Sequence, residues 1–105
     1  MPAESRHVLL VALEVTDEEK YARYRAEMMP FLARYGGGFG FDFEVSRVLK
    51  SESAHRVNRV FSVSFPDREA CDRFFADRDY IAVRGAWFEP SVASTTILGK
   101  LTQED

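Results

Sequence analysis

Apolar residues along this chain follow two periods, and the changes between them mark out the elements. Residues 7–15 carry the unbroken centre Val-Leu-Leu-Val-Ala-Leu, too short for a free-standing helix and rich in branched side chains, which predicts a buried strand. A strand apolar on both faces must be covered on both. Thr16-Asp17-Glu18-Glu19 then sets a hydroxyl three residues before a glutamate, the capping-box pattern that satisfies the first unpaired N–H groups of a helix. In that helix Tyr21, Tyr24, Met28, Phe31, Leu32 and Tyr35 recur at three- and four-residue spacing, Arg23, Glu27 and Arg34 fall elsewhere on the wheel, and Gly36-Gly37-Gly38 ends it. Pro30 lacks an N–H and crowds the carbonyl four residues back, so a kink is expected between Ala26 and Pro30.

Period two follows. Over residues 39–49, Phe39, Phe41, Phe43, Val45, Arg47 and Leu49 share one face, and Gly40, Asp42, Glu44, Ser46 and Val48 the other. After a polar turn at residues 51–55, residues 56–65 alternate again, with Val57, Arg59, Phe61, Val63 and Phe65 opposing Asn58, Val60, Ser62 and Ser64. The two read as a hairpin whose five-residue turn sets Arg47 opposite Arg59, Leu49 opposite Val57 and Phe43 opposite Val63. Pro66-Asp67 opens a second helix, capped by Asp67, with Ala70, Cys71, Phe74 and Phe75 as its apolar stripe and a short further piece from Asp79. Residues 91–101 form the last strand.

Strand, helix, strand, strand, helix, strand, joined by right-handed crossovers, gives an α+β fold of the ferredoxin-like βαββαβ type: a four-stranded antiparallel sheet with two helices on one face. Two helices leave the other face bare. It carries Leu10 and Ala12, so a homodimer through the open sheet face, sheet against sheet, is expected; a monomer with that face solvated is the alternative.

With 105 residues, 46% of them hydrophobic, the chain has enough for one core, so a single domain over residues 1–105 is expected. Asp and Glu number 17 against 14 Lys and Arg, with both signs scattered, which argues against nucleic-acid or anionic-membrane binding. The longest apolar run, residues 8–13, is far shorter than the roughly 20 residues of a spanning helix, and no apolar leader follows Met1. No membrane association and a cytoplasmic location are expected. One cysteine, Cys71, cannot make an internal disulfide or a multi-thiolate site, and two histidines without ligand spacing complete no metal set.

Several features stand in the order and spacing of one family: the opening strand, Tyr21-x-x-Tyr24, Pro30, Gly36-Gly37, Phe65-Pro66, Phe74-Phe75, Asp79-Tyr80 and the strand ending at Gly99. In these the chain resembles, over nearly its whole length, small domain-of-unknown-function proteins of the dimeric α/β-barrel superfamily, akin to the antibiotic-biosynthesis monooxygenases. Such relatives usually carry an arginine in the strand after the double glycine and another about two turns beyond the tyrosine matching Tyr80. Here Phe39-Gly40-Phe41 stands at the first place. At the second, Arg84 comes four residues after Tyr80 and Trp87 lies nearer the usual position.

The candidate chemistry is sparse. Arg47 and Arg59, paired on an apolar face, would favour an anion or a carboxylate between them, or else extend their stems over apolar surface into water. Asp42, Glu44, Asn58, Ser62, Ser64, Ser94 and Thr96 make the opposite face polar. Asp42 and Glu44 could act there as acid and base, or form the solvated side of an edge strand. His7, beside Leu9 and Val11, is a candidate general base or a hydrogen-bonded strand-end residue. Tyr21, Tyr24, Tyr35, Tyr80 and Trp87 could line an aromatic pocket between sheet and helices, or serve as core. Cys71, on an apolar stripe with no adjacent base, reads as an inert thiol.

What the resemblance implies is a homodimer with a pocket for a small aromatic or carboxylated metabolite. In its catalytic form it would be a cofactor-independent monooxygenase or isomerase, with His7 and Tyr80 as catalytic candidates and Arg47, Arg59, Tyr24, Trp87 and Arg84 as ligand-binding ones. No cofactor is implied. The competing expectation is a non-catalytic binding or assembly module.

Overall fold

The computed structural model describes residues 5–104; Met1, from which the expectation of no leader starts, lies outside them. Strands β1 (Ser5–Val15), β2 (Gly38–Glu44), β3 (Arg59–Phe65) and β4 (Val92–Glu104) alternate with helices α1 (Glu18–Arg34), α2 (Arg68–Ala76) and α3 (Arg78–Val83). All pairings are antiparallel, in the order β2-β3-β1-β4. This is the ferredoxin-like arrangement that the element order predicts, as an open sheet rather than a closed barrel.

Each helix begins where a short acidic side chain can accept backbone N–H groups. At α1 that residue is Asp17, which accepts from Lys20 at 3.0 Å, and not Thr16, whose hydroxyl instead donates to the Ser91 carbonyl at 3.3 Å. Asp67 caps α2 through Ala70 at 2.8 Å. Asp77 closes α2 and opens α3, accepting from the N–H groups of Asp79 and Tyr80. Helix α1 runs through Pro30 without interruption. It stops at Gly36, where φ is +73°, with Gly36 donating to Ala33 and Gly37 to Leu32, a Schellman ending that needs a residue at ease in the left-handed region.

The core lies between the sheet and the helices. Leu9, Val11, Leu13 and Val15 of β1 and Val63 and Phe65 of β3 meet Tyr21, Tyr24, Met28 and Leu32 of α1, Cys71 and Phe74 of α2, and Tyr80 of α3. After α3 the chain makes a π-helical turn, Arg84–Phe88, and a short 3-10 turn, Glu89–Ser91. The buried Ser91 hydroxyl ties off this segment by donating to the carbonyls of Trp87 and Phe88 at 2.7 and 3.0 Å.

The hairpin differs from its expected form in length, register and face. Strand β2 stops at Glu44, which pairs with Arg59, and Phe43 faces Val60 rather than Val63. Arg47 therefore does not stand opposite Arg59; it lies exposed in the long connection 45–58. Asn58 accounts for the early exit. Its side-chain amide takes both the N–H and the carbonyl of Val15 at 2.8 Å, occupying the place of a strand partner, while Val45 closes the loop base on the Asn58 carbonyl.

Between Phe39 and Asp42 the pairing shifts by one residue: three steps along β2 match two along β3, from Val63 to Phe61. This β-bulge inverts everything after it. Asp42 and Glu44, expected on the open face, turn to the helix side, and Phe41 and Phe43 turn to the open face, where their rings stack 5.7 Å apart. The open face is thus more apolar than its sequence pattern predicts. It presents Leu10, Ala12, Val60, Phe41, Phe43, Leu98 and Leu101, partly roofed at one end by Val45, Val48 and Val57 of the long loop.

Candidate functional site

On the helix side the packing leaves a cavity of about 140 Å³. Its walls are mostly apolar, with Leu9, Val11 and Leu13 as floor and Met28, Phe39, Phe61, Val63, Phe74 and Phe88 around them. The polar groups at its wall are few: the hydroxyls of Tyr21, Tyr24 and Tyr80, the guanidinium groups of Arg25 and Arg84, and Thr95. Among the described residues no carboxylate and no imidazole lines it.

Tyr24 and Tyr80 meet hydroxyl to hydroxyl at 2.8 Å, buried. Helical spacing puts Tyr24 above the sheet, and the Asp77 cap fixes the turn that delivers Tyr80. Two hydroxyls carry two protons, and their mutual bond uses one. Among the described residues the second has no acceptor, so one O–H is free to donate to a guest. Burial, reinforced by the Tyr80 hydroxyl, pushes the Tyr24 phenol well above its ordinary range. Burial raises Tyr80 as well, and its bond to Tyr24 and the charge of Arg84 oppose that rise only in part. Both are therefore neutral donors, not bases, at physiological pH. Arg84, on the π-helical turn, lies 5.4 Å from the Phe88 ring centroid and adds a positive charge beside the pair.

Beyond Tyr21 lies a second polar group. Arg25 donates to the Tyr21 hydroxyl at 2.9 Å and to Asp42 at 2.6 Å, with its guanidinium 3.8 Å from the Phe39 ring centroid. Arg59 approaches the other Asp42 oxygen at 3.7 Å and Glu18 at 3.6 Å. Arg25, Arg59, Tyr21, Ala22 and Glu18 line a shallow hollow that shares Tyr21 and Arg25 with the cavity.

Of the residues singled out by sequence, the structure brings Tyr24, Tyr80 and Arg84 to one cavity and Arg59 to its neighbouring hollow. His7 is elsewhere: it lines a depression with Arg6, Asp67, Arg68 and Thr102. Trp87 packs against the outside of the core under the Arg23 guanidinium, 4.8 Å from its ring centroid, and is not among the cavity residues. Cys71 is buried, and that burial raises its thiol to about 11, so it is not a nucleophile at neutral pH. Arg25 carried a signal that the helical wheel did not exploit, since it stands four residues after Tyr21 on the same face. Gly40, lone within a strand pattern, was the mark of the bulge that brings Asp42 to it.

Known structures share this architecture. A protein of unknown function from Rhodopseudomonas palustris superposes with a TM-score of 0.77 at 16% identity, covering 99% of this chain and 85% of its own. SnoaB, a cofactor-independent oxygenase from Streptomyces nogalater, gives 0.57 at 16% identity over 98% and 95%. A Dabb-family protein with a ferredoxin-like fold from Mesorhizobium loti gives 0.58 at 15% over 94% and 95%. At such identities the likeness shows the fold alone. No curated protein matches the sequence. Residues 8–99, which include every residue lining the cavity, match the family described as domain of unknown function DUF1330, and the chain belongs to that family.

Proposed function

We propose that this protein binds a small, oxygen-bearing aromatic molecule in the cavity between sheet and helices. The observation that carries the reading is the cavity itself. Its volume of about 140 Å³ is that of a site for one ring, since an apolar cavity of roughly 150 Å³ takes up benzene. Its walls offer a spare tyrosine proton and two positive charges to an oxygen on that ring. Burying six ring carbons at about 0.8 kcal/mol each gives about 5 kcal/mol, against the roughly 4 kcal/mol of a 1 mM dissociation constant, so the costs of immobilisation hold binding to millimolar or weaker.

The catalytic version is a cofactor-independent oxygenase, the activity of the similarly folded SnoaB. Here the Tyr24–Tyr80 pair and Arg84 would stabilise the oxyanion of an ionised substrate. Binding without turnover is the second reading, favoured because the wall groups among the described residues, neutral tyrosines, arginines and a threonine, are not bases at neutral pH. Either way the unit is a homodimer. A second copy covers Phe41 and Phe43 at one edge of the open face and Leu98 and Leu101 at the other, all 54 to 64% exposed in one chain.

Calorimetric titration with phenol tests the site: millimolar binding, weakened several-fold in Tyr80→Phe, is expected, and no heat above dilution overturns it. Light scattering tests the assembly. Twice the 12.0 kDa of one chain is expected, falling to a single chain in Phe43→Glu; a monomeric wild-type protein at micromolar concentration contradicts the dimer.

A further inference from the structure

Arg25, Asp42 and Arg59 form a group with one positive charge in excess. Their side chains are only 19, 33 and 18% exposed, whereas the other acids nearby, Glu18 at 69% and Glu44 across the ladder from Arg59, are exposed and screened by water. A half-buried surplus charge favours uptake of one anion. The bonding is also lopsided. Asp42 is held by Arg25 at 2.6 Å, and Arg59 reaches it only at 3.7 Å, too long for a hydrogen bond. Among the described residues the Arg59 guanidinium, though four-fifths covered, donates no hydrogen bond to protein. It is a planar fork of five donors with nothing at bonding distance. Arg25 is the member that also lines the aromatic cavity.

We infer that the cavity's ligands are single-ring aromatic carboxylates, and that Asp42 is an exchangeable internal counter-ion. The inference rests on the ring-binding reading above. The ligand's carboxylate takes the Arg25 fork from the cavity side in the paired N–H···O geometry that guanidinium and carboxylate share. Asp42, released from Arg25, closes the short gap to Arg59, whose donors are uncommitted. Charge is conserved at every point: two guanidinium groups end with two carboxylates, one from the ligand and one from the chain. No group changes protonation. Tyr21 holds the Arg25 head in place throughout through its hydroxyl, 2.9 Å away.

The test compares benzoate with neutral benzamide, which has nearly the same shape, by calorimetric titration of the full-length protein. In the wild type benzoate is expected to bind at least tenfold more tightly. Arg25→Gln should erase that preference, weakening benzoate far more than benzamide. Asp42→Asn should tighten benzoate several-fold, since the competitor is gone, and Arg59→Gln should weaken it because Asp42 then has no second partner. Thermal melts confirm that each variant folds; if Arg25→Gln does not, Arg25→Lys, which keeps the charge but not the fork, should lower the preference without abolishing it. Equal binding of the two ligands by the wild type overturns the inference while leaving the cavity reading intact. Weaker benzoate binding in Asp42→Asn also overturns it, for Asp42 would then only position Arg25. Failure of both ligands to bind removes the cavity reading, and this inference with it.

Discussion

Tyr24 and Tyr80 show how far a single side chain can be read before its surroundings are known. Their periodicity predicts burial, and burial is what the structure finds, but the 2.8 Å bond between their hydroxyls joins residues 56 positions apart. No local pattern encodes it. All four tyrosines have their pKa values pushed above 10.0: burial is the main cause for Tyr21, Tyr24 and Tyr80, and a hydrogen bond to Asp77 for Tyr35. A group whose folded pKa is raised binds its proton more tightly in the folded state. Its share of stability is therefore intact below pH 10 and is lost as pH rises through the folded values. Tyrosinate absorbance and circular dichroism should consequently change together in one alkaline transition. A smooth tyrosinate titration near 10 in a protein that keeps its fold would contradict this.

At the scale of elements, the strands and helices were legible because each has a strong local cause: the branched run of β1, the tyrosine spacing of α1, and Asp67 at the start of α2. The faces of β2 were not. A period of two assigns sides only while pairing is regular, and a single extra residue reverses every later side chain. Gly40 sits at that point because a Cβ there would come within 2.7 Å of the Ser62 hydroxyl oxygen, the atom that accepts the Phe41 N–H at 2.9 Å. Gly40→Ala should cost about 1 kcal/mol, the worth of one hydrogen bond, in chemical denaturation. Gly38→Ala, whose Cβ meets nothing within 4 Å, should be near neutral. Equal effects of the two would mean that the bulge does not depend on that contact. The register error in the sequence reading has the same kind of origin. Asn58 replaces a strand partner for Val15 with its side chain, and nothing in an alternating pattern distinguishes an asparagine in the ladder from one that ends it.

For the whole molecule, the order of elements is sufficient to give the sheet topology, because chain connectivity and crossover handedness leave few alternatives. The candidate site was legible only in part. Tyr24, Tyr80 and Arg84 lie where sheet and helices were expected to enclose a pocket. Arg47 does not join Arg59, and Arg25 and Asp42 take its place through a bulge and a helix turn. The bulge also gives the open face two stacked phenylalanines, so one local irregularity shapes both the hollow beside the cavity and the surface proposed to meet a second copy. Ligand entry into the cavity is tested most directly by diffraction from crystals soaked in 4-bromophenol. Anomalous scattering from bromine is expected inside the cavity, with the phenol oxygen within hydrogen-bonding distance of the Tyr24 and Tyr80 hydroxyls. Bromine found only outside it, with the cavity closed by its own side chains, would contradict ligand entry.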